Sequence, residues 1–169
     1  MKTTKNTKTA KSVKKLSHAT RSGELRMVSV AAKPIMERTA VARGEVRVAT
    51  STLRVIRSHS TPKGNPLEAA RLAGIMAAKR TAEIIPLCHT LPLDHIEVSF
   101  RLGRDRITIE ARAMCHARTG VEMEALTAVS AAALTLYDMC KAVDKQMVIG
   151  KIRLVEKRKA DEYPRGSRE

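Results

Sequence analysis

Residues 119–143 read TGVEMEALTAVSAAALTLYDMCKAV, and the remainder of the chain is arranged around this segment. Its interior consists mainly of Ala, Leu, Val and Met, which predicts one long helix with most of its circumference buried. Thr119 precedes Glu122 by three residues, a capping-box pattern in which each side chain bonds to the other residue's backbone N–H. Because an unpaired buried charge is costly, the four charged positions are the first candidates for function: Glu122, Glu124, Asp138 and Lys141.

The length and the cysteine content limit the class of protein. A chain of 169 residues is expected to form one domain with a substantial core. Its three cysteines have no CxxC spacing, which argues against a disulfide framework or a structural zinc site and favours a reducing compartment. The sequence has no run of eighteen apolar residues and no apolar segment near residue 1, so we expect a cytoplasmic protein without a membrane span or secretory signal.

The net charge of +15 is unevenly distributed. Residues 1–26 contain eight Lys and Arg against one Glu, residues 157–169 have a net charge of +2, and residues 27–156 have a net charge of +6. Terminal charge runs of this kind are usually solvated, which predicts a disordered basic arm over residues 1–17 and a flexible tail over residues 159–169. Residues 18–158 would then form a single catalytic α+β domain, whose charge favours an anionic ligand.

Charge alone would also fit a basic module that binds nucleic acid. The chain has three aromatic residues, Phe100, Tyr137 and Tyr163, which are too few for the stacking platforms of single-strand binders. No specific nucleic-acid ligand is therefore expected, and the module remains the competing class.

Alternation of apolar and polar residues predicts the strands. They are expected at 39–50 with an interruption or turn at Gly44, at 94–102 and 106–116 as a hairpin, and at 147–157 with a bulge near Gly150. A short helix capped by Thr50 or Ser51 is expected over 51–57. A longer helix capped by Asn65 should run to about Ile84, before Pro86.

The order strand, helix, two strands, helix, strand is typical of a ferredoxin-like fold. It predicts an α+β protein whose antiparallel sheet carries its two main helices on one face. The other sheet face would lack cover, and an oligomer that packs there is a reasonable hypothesis.

Two loops contain further candidates. Lys63 lies in PKGN (62–65), just before a helix N-terminus, where a lysine suits a phosphate group; the alternative is a solvated loop lysine. Cys88 and His89 lie between two prolines, where a histidine can act as an acid or base, or both residues can be structural. A Cys/His metal site would need more ligands at suitable spacing, so none is expected.

The four charges of the long helix divide into two groups. Glu122 is explained by the capping box, whereas Glu124 lies roughly 200° around the helix from it and is the better functional candidate. Asp138 and Lys141 can pair, either as a surface ion pair or as a lysine-tuned carboxylate for proton transfer. Glu124 and Asp138 would be about 21 Å apart along the axis. Either one end alone is catalytic, or a pocket forms where the Glu124 end of one subunit meets the Asp138–Lys141 end of another; we prefer the second.

Four stretches in this order resemble the cyclic pyranopterin monophosphate synthase (MoaC) family of molybdenum cofactor biosynthesis. They are LAGIMAAKRT (72–81), LCH (87–89), GVEMEALTAV (120–129) and YDMCKAV (137–143). The likeness extends from about Ser17 to Lys157.

The resemblance implies an activity and an assembly. Members of this family convert (8S)-3',8-cyclo-7,8-dihydroguanosine 5'-triphosphate, supplied by a radical SAM GTP cyclase, to cyclic pyranopterin monophosphate with release of pyrophosphate. The family fold is ferredoxin-like, and the assembly is a homo-hexamer built from dimers with its sites at subunit interfaces. No metal or organic cofactor is expected.

The resemblance also implies roles for individual residues. Asp138 would be the catalytic acid/base, Lys141 its partner, and Lys63 a catalytic lysine near the triphosphate or the reacting ring. The substrate-binding positions would be Leu87, Cys88, His89, Met123 and Glu124, with Glu122 and Lys157 as further pocket positions. The sequence departs from the family pattern at Ser29, Asn65 and Thr90 and lacks the Gly-rich tail; an inactive relative is the alternative, against which the intact site residues argue.

Overall fold

The computed structural model of the chain describes residues 23–58 and 64–160. In these ranges the strands are β1 (Met36–Arg47), β2 (His95–Leu102), β3 (Arg106–Ala117) and β4 (Val148–Lys159). The helices are α1 (Thr50–Arg57), α2 (Pro66–Lys79), α3 (Thr81–Ile84) and α4 (Glu122–Cys140). The predicted arm over residues 1–17, Lys63 and residues 161–169 of the predicted tail lie outside the described residues.

The four strands form one antiparallel sheet in the order β2-β3-β1-β4. In register across three strands, Val98 and Ala42 both pair with Ala111, so their side chains lie on one face. A Cβ atom at Gly74 of α2 would lie 3.2 Å from Val98 on this face and 2.9 Å from a backbone oxygen of α4. The two main helices therefore pack side by side on the same face, and the predicted ferredoxin-like α+β fold is confirmed.

Alternation along β3 explains where the core lies. Every second residue is buried against the helices, from Ile107 through Ile109, Ala111 and Ala113 to Cys115. The intervening residues are polar or larger and lie on the opposite face, as expected for a sheet with one buried side. The small residues on the buried side let α4, itself rich in Ala, approach the sheet closely.

The opposite face of the sheet carries ion pairs. Arg43 pairs with Glu110, and Glu45 accepts contacts from Arg106 at 3.3 Å and Lys151 at 3.0 Å. Pairing with Lys151 lowers the pKa of Glu45, and Arg106 adds to the effect while burial opposes it. The hypothesis that another subunit covers this face stays a prediction.

The prediction for the start of α4 was wrong. The helix begins at Glu122 after Val121, and Thr119 makes no side-chain cap. The Glu122 carboxylate instead lies against Gly120 and forms an ion pair with Lys157 of β4. Lys157 of the last strand thus pairs with the carboxylate that the predicted capping box would have used.

The prediction for the cap of α1 was also wrong. The residue before the helix is Ala49, and neither Thr50 nor Ser51 caps it with a side chain. Asp144, from the turn after α4, accepts the Ala49 N–H at 2.7 Å and the Thr52 hydroxyl at 3.0 Å. The charge of this carboxylate also suits the positive end of the helix dipole.

Other boundaries followed the local signals more closely. Asn65 caps α2 by accepting the Leu67 N–H at 3.0 Å, as predicted. The helix does not continue to Ile84, however, because the backbone leaves helical geometry at Arg80 and α3 starts anew at Thr81. The predicted bulge near Gly150 is confirmed by a register shift opposite residues 43–45, whereas β1 runs through Gly44 without a turn.

Candidate active site

A cavity of about 420 Å³ lies where the start of α4 meets the loop after α3 and the segment before β1. It brings together six of the residues proposed from the sequence: Leu87, Cys88, His89, Glu122, Met123 and Glu124. Further walls come from residues 28–33, from Leu91, and from Thr119 and Gly120. The loop between the two prolines and the first turn of α4 thus share one site, although some 30 residues separate them in the chain.

His89 is held by the segment that precedes β1. Its ring Nε2 lies 3.0 Å from the carbonyl oxygen of Val28. A carbonyl oxygen only accepts hydrogen bonds, so Nε2 carries the proton in this contact. In the neutral ring, Nδ1 is then the acceptor, which gives the cavity wall a group able to receive a proton.

Glu124 is the most enclosed acid of the cavity, with 4% of its surface exposed. Burial raises the pKa of Glu124, and the nearby Glu122 carboxylate raises it further, while its backbone hydrogen bond acts in the opposite direction. Burial of this kind favours the uncharged form of a carboxyl group. Glu124 can therefore hold a proton at a higher pH than an ordinary glutamate.

Glu122 has a different environment from Glu124, although only one residue separates them. Its carboxylate pairs with Lys157, which lies on β4 opposite Ala40, and about a quarter of its side chain is exposed. The ion pair joins the last strand to the first turn of α4. Lys157 therefore pairs with a carboxylate of the cavity wall, and its assignment as a pocket position stays a prediction.

The thiols near this site are protonated at neutral pH. Burial raises the pKa of Cys88, and the Glu124 charge adds to the rise. Burial also raises the pKa of Cys115, on the adjoining part of β3, to about 11. A thiol is nucleophilic as the thiolate, so Cys88 contributes to the shape of the wall rather than to covalent chemistry.

Asp138 and Lys141 form a second cluster at the other end of α4. The Lys141 Nζ lies 2.7 Å from Asp138 Oδ1, and both side chains are more than half exposed. The hydrogen bond to Asp138 raises the pKa of Lys141, and the charge of Asp138 adds to it. Within one chain the structure does not bring this pair to the cavity, since about 21 Å of helix lies between Glu124 and Asp138.

Lys33 is a cavity residue that the sequence did not single out. It lines the cavity just before β1, and its carbonyl oxygen accepts the Arg118 Nε–H at 3.1 Å. One signal was available, because Lys33 precedes Pro34 at the entry to a strand. Its proximity to α4, however, depends on the pairing of β1 with β3.

Across residues 23–58 and 64–160, no three His, Cys, Asp or Glu side chains converge in a way that could hold a metal ion. In the same ranges, no helix combines the length and the apolar character needed to cross a membrane.

Comparison with known proteins identifies the family. The model of the MoaC family matches residues 27–160, a span that includes the cavity and the Asp138–Lys141 pair. The chain belongs to the MoaC family.

The curated relatives cover most of the chain. The cyclic pyranopterin monophosphate synthase of Chloroflexus aggregans is 56% identical over 149 residues, which are 87% of this chain and 90% of the relative. The synthase of the same name from Pelotomaculum thermopropionicum is 56% identical over 144 residues, covering 84% and 85% of the two chains. That of Parvibaculum lavamentivorans is 53% identical over 146 residues, covering 85% and 91%.

Proposed function

We infer that this protein is a cyclic pyranopterin monophosphate synthase of molybdenum cofactor biosynthesis. The observation that carries this inference is 56% identity to a synthase of that name over 87% of the chain. The reaction converts (8S)-3',8-cyclo-7,8-dihydroguanosine 5'-triphosphate to cyclic pyranopterin monophosphate and releases pyrophosphate. The protein is therefore a phosphorus–oxygen lyase that acts on a nucleotide-derived small molecule.

The cavity suits the heterocyclic part of this substrate. Its volume of about 420 Å³ lies in the range of small-molecule sites, and apolar walls alternate with a few polar groups. Opening and reclosing a purine-derived ring requires several proton transfers. Glu124, whose pKa burial raises, and His89, whose ring is oriented by Val28, are two groups of this cavity that can exchange protons.

For Asp138, Lys141 and Lys63 we propose the roles that the resemblance to the family implies. Lys141 is charged at neutral pH, and the hydrogen bond to Asp138 raises its pKa further, so it suits contact with an anionic substrate. Asp138 is the proposed acid/base, and Lys63 is the proposed partner of the triphosphate or the reacting ring. Positive charge on the phosphates is needed when pyrophosphate leaves.

The separation of the two clusters supports a shared active site. A single small substrate cannot span about 21 Å, so the Glu124 end of one subunit would be completed by the Asp138–Lys141 end of a neighbour. A homo-hexamer made of three dimers provides such contacts. Its substrate would come from a radical SAM GTP cyclase, and no metal or organic cofactor is proposed to carry the chemistry.

The direct test is to incubate the purified protein with the cyclic dihydroguanosine triphosphate and to measure pyrophosphate and the pterin product. We expect the wild type to form both, and Lys63→Ala and Asp138→Ala to form little of either. Lys79→Ala, at an exposed position of α2, serves as the matched control and should retain activity. Failure of the folded wild-type oligomer to release pyrophosphate from this substrate would refute the proposal.

A further inference from the structure

Gly120 lies in the short link between β3 and α4, two residues before Glu122. A Cβ atom added at Gly120 would lie 2.7 Å from Cδ of Glu122 and 3.0 Å from its Oε1, and closer still to its Oε2. Non-bonded carbon atoms are best separated by about 3.5–4.0 Å, so a side chain at position 120 and the carboxylate cannot both be accommodated. The Glu122 carboxylate therefore occupies the space that any other residue at position 120 would fill.

The glycine is not needed here for its backbone conformation. Among the described residues, the glycines with positive φ are Gly23 and Gly64. Gly120 has a φ outside the left-handed region that favours glycine, so the backbone alone would accept another residue. The requirement at Gly120 is one of space.

The main chain on both sides of Gly120 is held in place. Val121 is fully buried, and its carbonyl oxygen accepts an N–H of α4 at 3.2 Å. On the other side, Arg118 Nε donates to the carbonyl oxygen of Lys33 at 3.1 Å. The Glu122 side chain, by contrast, is flexible and about a quarter exposed. A substitution at Gly120 would therefore displace the carboxylate rather than the main chain.

The space left open by Gly120 places the Glu122 carboxylate between two charged neighbours. One is Lys157 of β4, with which its Oε1 forms an ion pair. The other is Glu124, whose pKa is raised by burial and, in addition, by the charge of Glu122. Gly120, Glu122 and Glu124 all line the cavity. A displaced carboxylate would deprive Lys157 of this partner and change the charge beside Glu124.

We propose that Gly120 is a positioning residue of the active site, because the absence of a side chain there fixes the Glu122 carboxylate against Lys157 at the cavity wall. Gly120 acts through Glu122 and needs no contact of its own with the substrate. This inference deepens the proposed function and rests on it, since the position of Glu122 affects activity only if the reaction takes place in this cavity.

A double-mutant cycle in activity tests the proposal. We expect Gly120→Ala and Glu122→Ala each to lower kcat/KM about tenfold, the effect of losing one hydrogen bond to a charged group. The double variant should lose no more than Glu122→Ala alone, because the added methyl group then has no carboxylate to displace. Gly150→Ala is the matched control and should retain activity, since a Cβ at that position would meet no atom within 4 Å.

Two kinetic results would overturn the proposal. One is wild-type activity in Gly120→Ala. The other is a further loss when Gly120→Ala is added to Glu122→Ala, because a glycine with a purely structural role is needed whether or not the carboxylate is present.

Thermal unfolding separates positioning from folding. Gly120→Ala should keep a Tm close to that of the wild type, because the displaced group ends a flexible side chain and partly exposed ion pairs contribute little to stability. If Gly120→Ala fails to fold while Gly150→Ala folds, the main chain of the link bears the clash and the proposal is wrong.

A crystal structure of Gly120→Ala provides a readout that is independent of turnover. We expect the Glu122 carboxylate to have moved away from Lys157, while Val121 and the start of α4 keep their positions. A carboxylate that is still paired with Lys157 would overturn the positioning role. A wild type that releases no pyrophosphate from the cyclic triphosphate would refute the proposed function, whereas the place of the carboxylate in the variant is decided by this structure alone.

Discussion

Glu124 and Asp138 lie on one uninterrupted helix, α4, with fourteen residues of separation and about 21 Å between them along the axis. Glu124 lines the large cavity at one end of the sheet, and Asp138 pairs with Lys141 at the other end. The helix therefore separates the two groups of residues. One active site can use both ends of the helix only if two subunits contribute to it.

Subunit mixing tests this arrangement. We expect Glu124→Ala and Lys141→Ala to be inactive separately and to regain partial activity when mixed, because some interfaces then combine two unaltered ends. The control mixes Glu124→Ala with His89→Ala, whose changes fall in the same cavity, and should give no recovery. If verified mixed oligomers of the first pair stay inactive, the shared site is wrong.

Glu124 should make stability depend on pH. Burial raises the pKa of Glu124 in the folded protein above its value in the unfolded chain. Ionisation of Glu124 therefore destabilises the fold as the pH rises from the pKa of the unfolded chain through the pKa of the folded protein. We expect Glu124→Gln to raise the Tm relative to wild type at pH 8 and to have no such effect at pH 4. Each unit of pKa displacement corresponds to about 1.4 kcal/mol.

The matched control for that experiment is Glu83→Gln, an exposed glutamate of α3. Its Tm should follow the wild type at both pH values. A Glu124→Gln variant that is less stable than wild type at pH 8 would show that the ionised carboxylate is stabilised by its surroundings.

Asp144 should stabilise the junction between α1 and the end of α4. It accepts hydrogen bonds from Ala49, Thr52 and the backbone N–H of Gln146, and the first of these is the main cause of its lowered pKa. We expect Asp144→Ala to lose about 3 kcal/mol of unfolding free energy in urea at pH 7. This stabilisation is fully present when the pH is above the pKa of Asp144 in the unfolded chain. It is lost as the pH falls through the lower pKa that Asp144 has in the folded protein.

Lys145→Ala, at the exposed neighbouring position, is the control for this loss and should change stability little. A loss below about 1 kcal/mol in Asp144→Ala would mean that water replaces the carboxylate at the start of α1.

Gly74 should be required for the close approach of α2 to α4. A Cβ there would lie 2.9 Å from the carbonyl oxygen of Ala128 and 3.2 Å from Val98, and a helix backbone cannot yield locally. We expect Gly74→Ala to lose about 1–3 kcal/mol through overpacking, although alanine favours a helix interior by about 1 kcal/mol over glycine.

Gly150→Ala is the matched control, since a Cβ at that position would meet no atom within 4 Å. Thermal unfolding of the two variants gives the comparison. A Gly74→Ala protein as stable as wild type would show that the two helices can separate without loss of packing.

Two features that depend on neighbouring residues were predicted correctly. The β2–β3 hairpin follows from alternation and the Gly103 turn, and Asn65 caps α2 because its side chain bonds two residues along the chain. Both capping errors have one cause. Thr119 and Thr50 are local candidates, but Lys157 pairs with the Glu122 carboxylate and Asp144 accepts the N–H of Ala49. Both partners are remote in sequence and come into contact only when β4 and the end of α4 are in place.

The candidate site also has some features that the sequence predicts and others that only the tertiary structure sets. The sequence by itself determined the order of the elements, the α4 segment and the residue types that carry the chemistry, because periodicity and motif are properties of neighbouring positions. Only the tertiary structure decided that residues 28–33, the loop with His89 and the start of α4 enclose one cavity, and that Glu124 is buried and Glu122 paired. Burial and pairing arise from contacts between segments far apart in the chain, so they are set when the sheet closes against its helices.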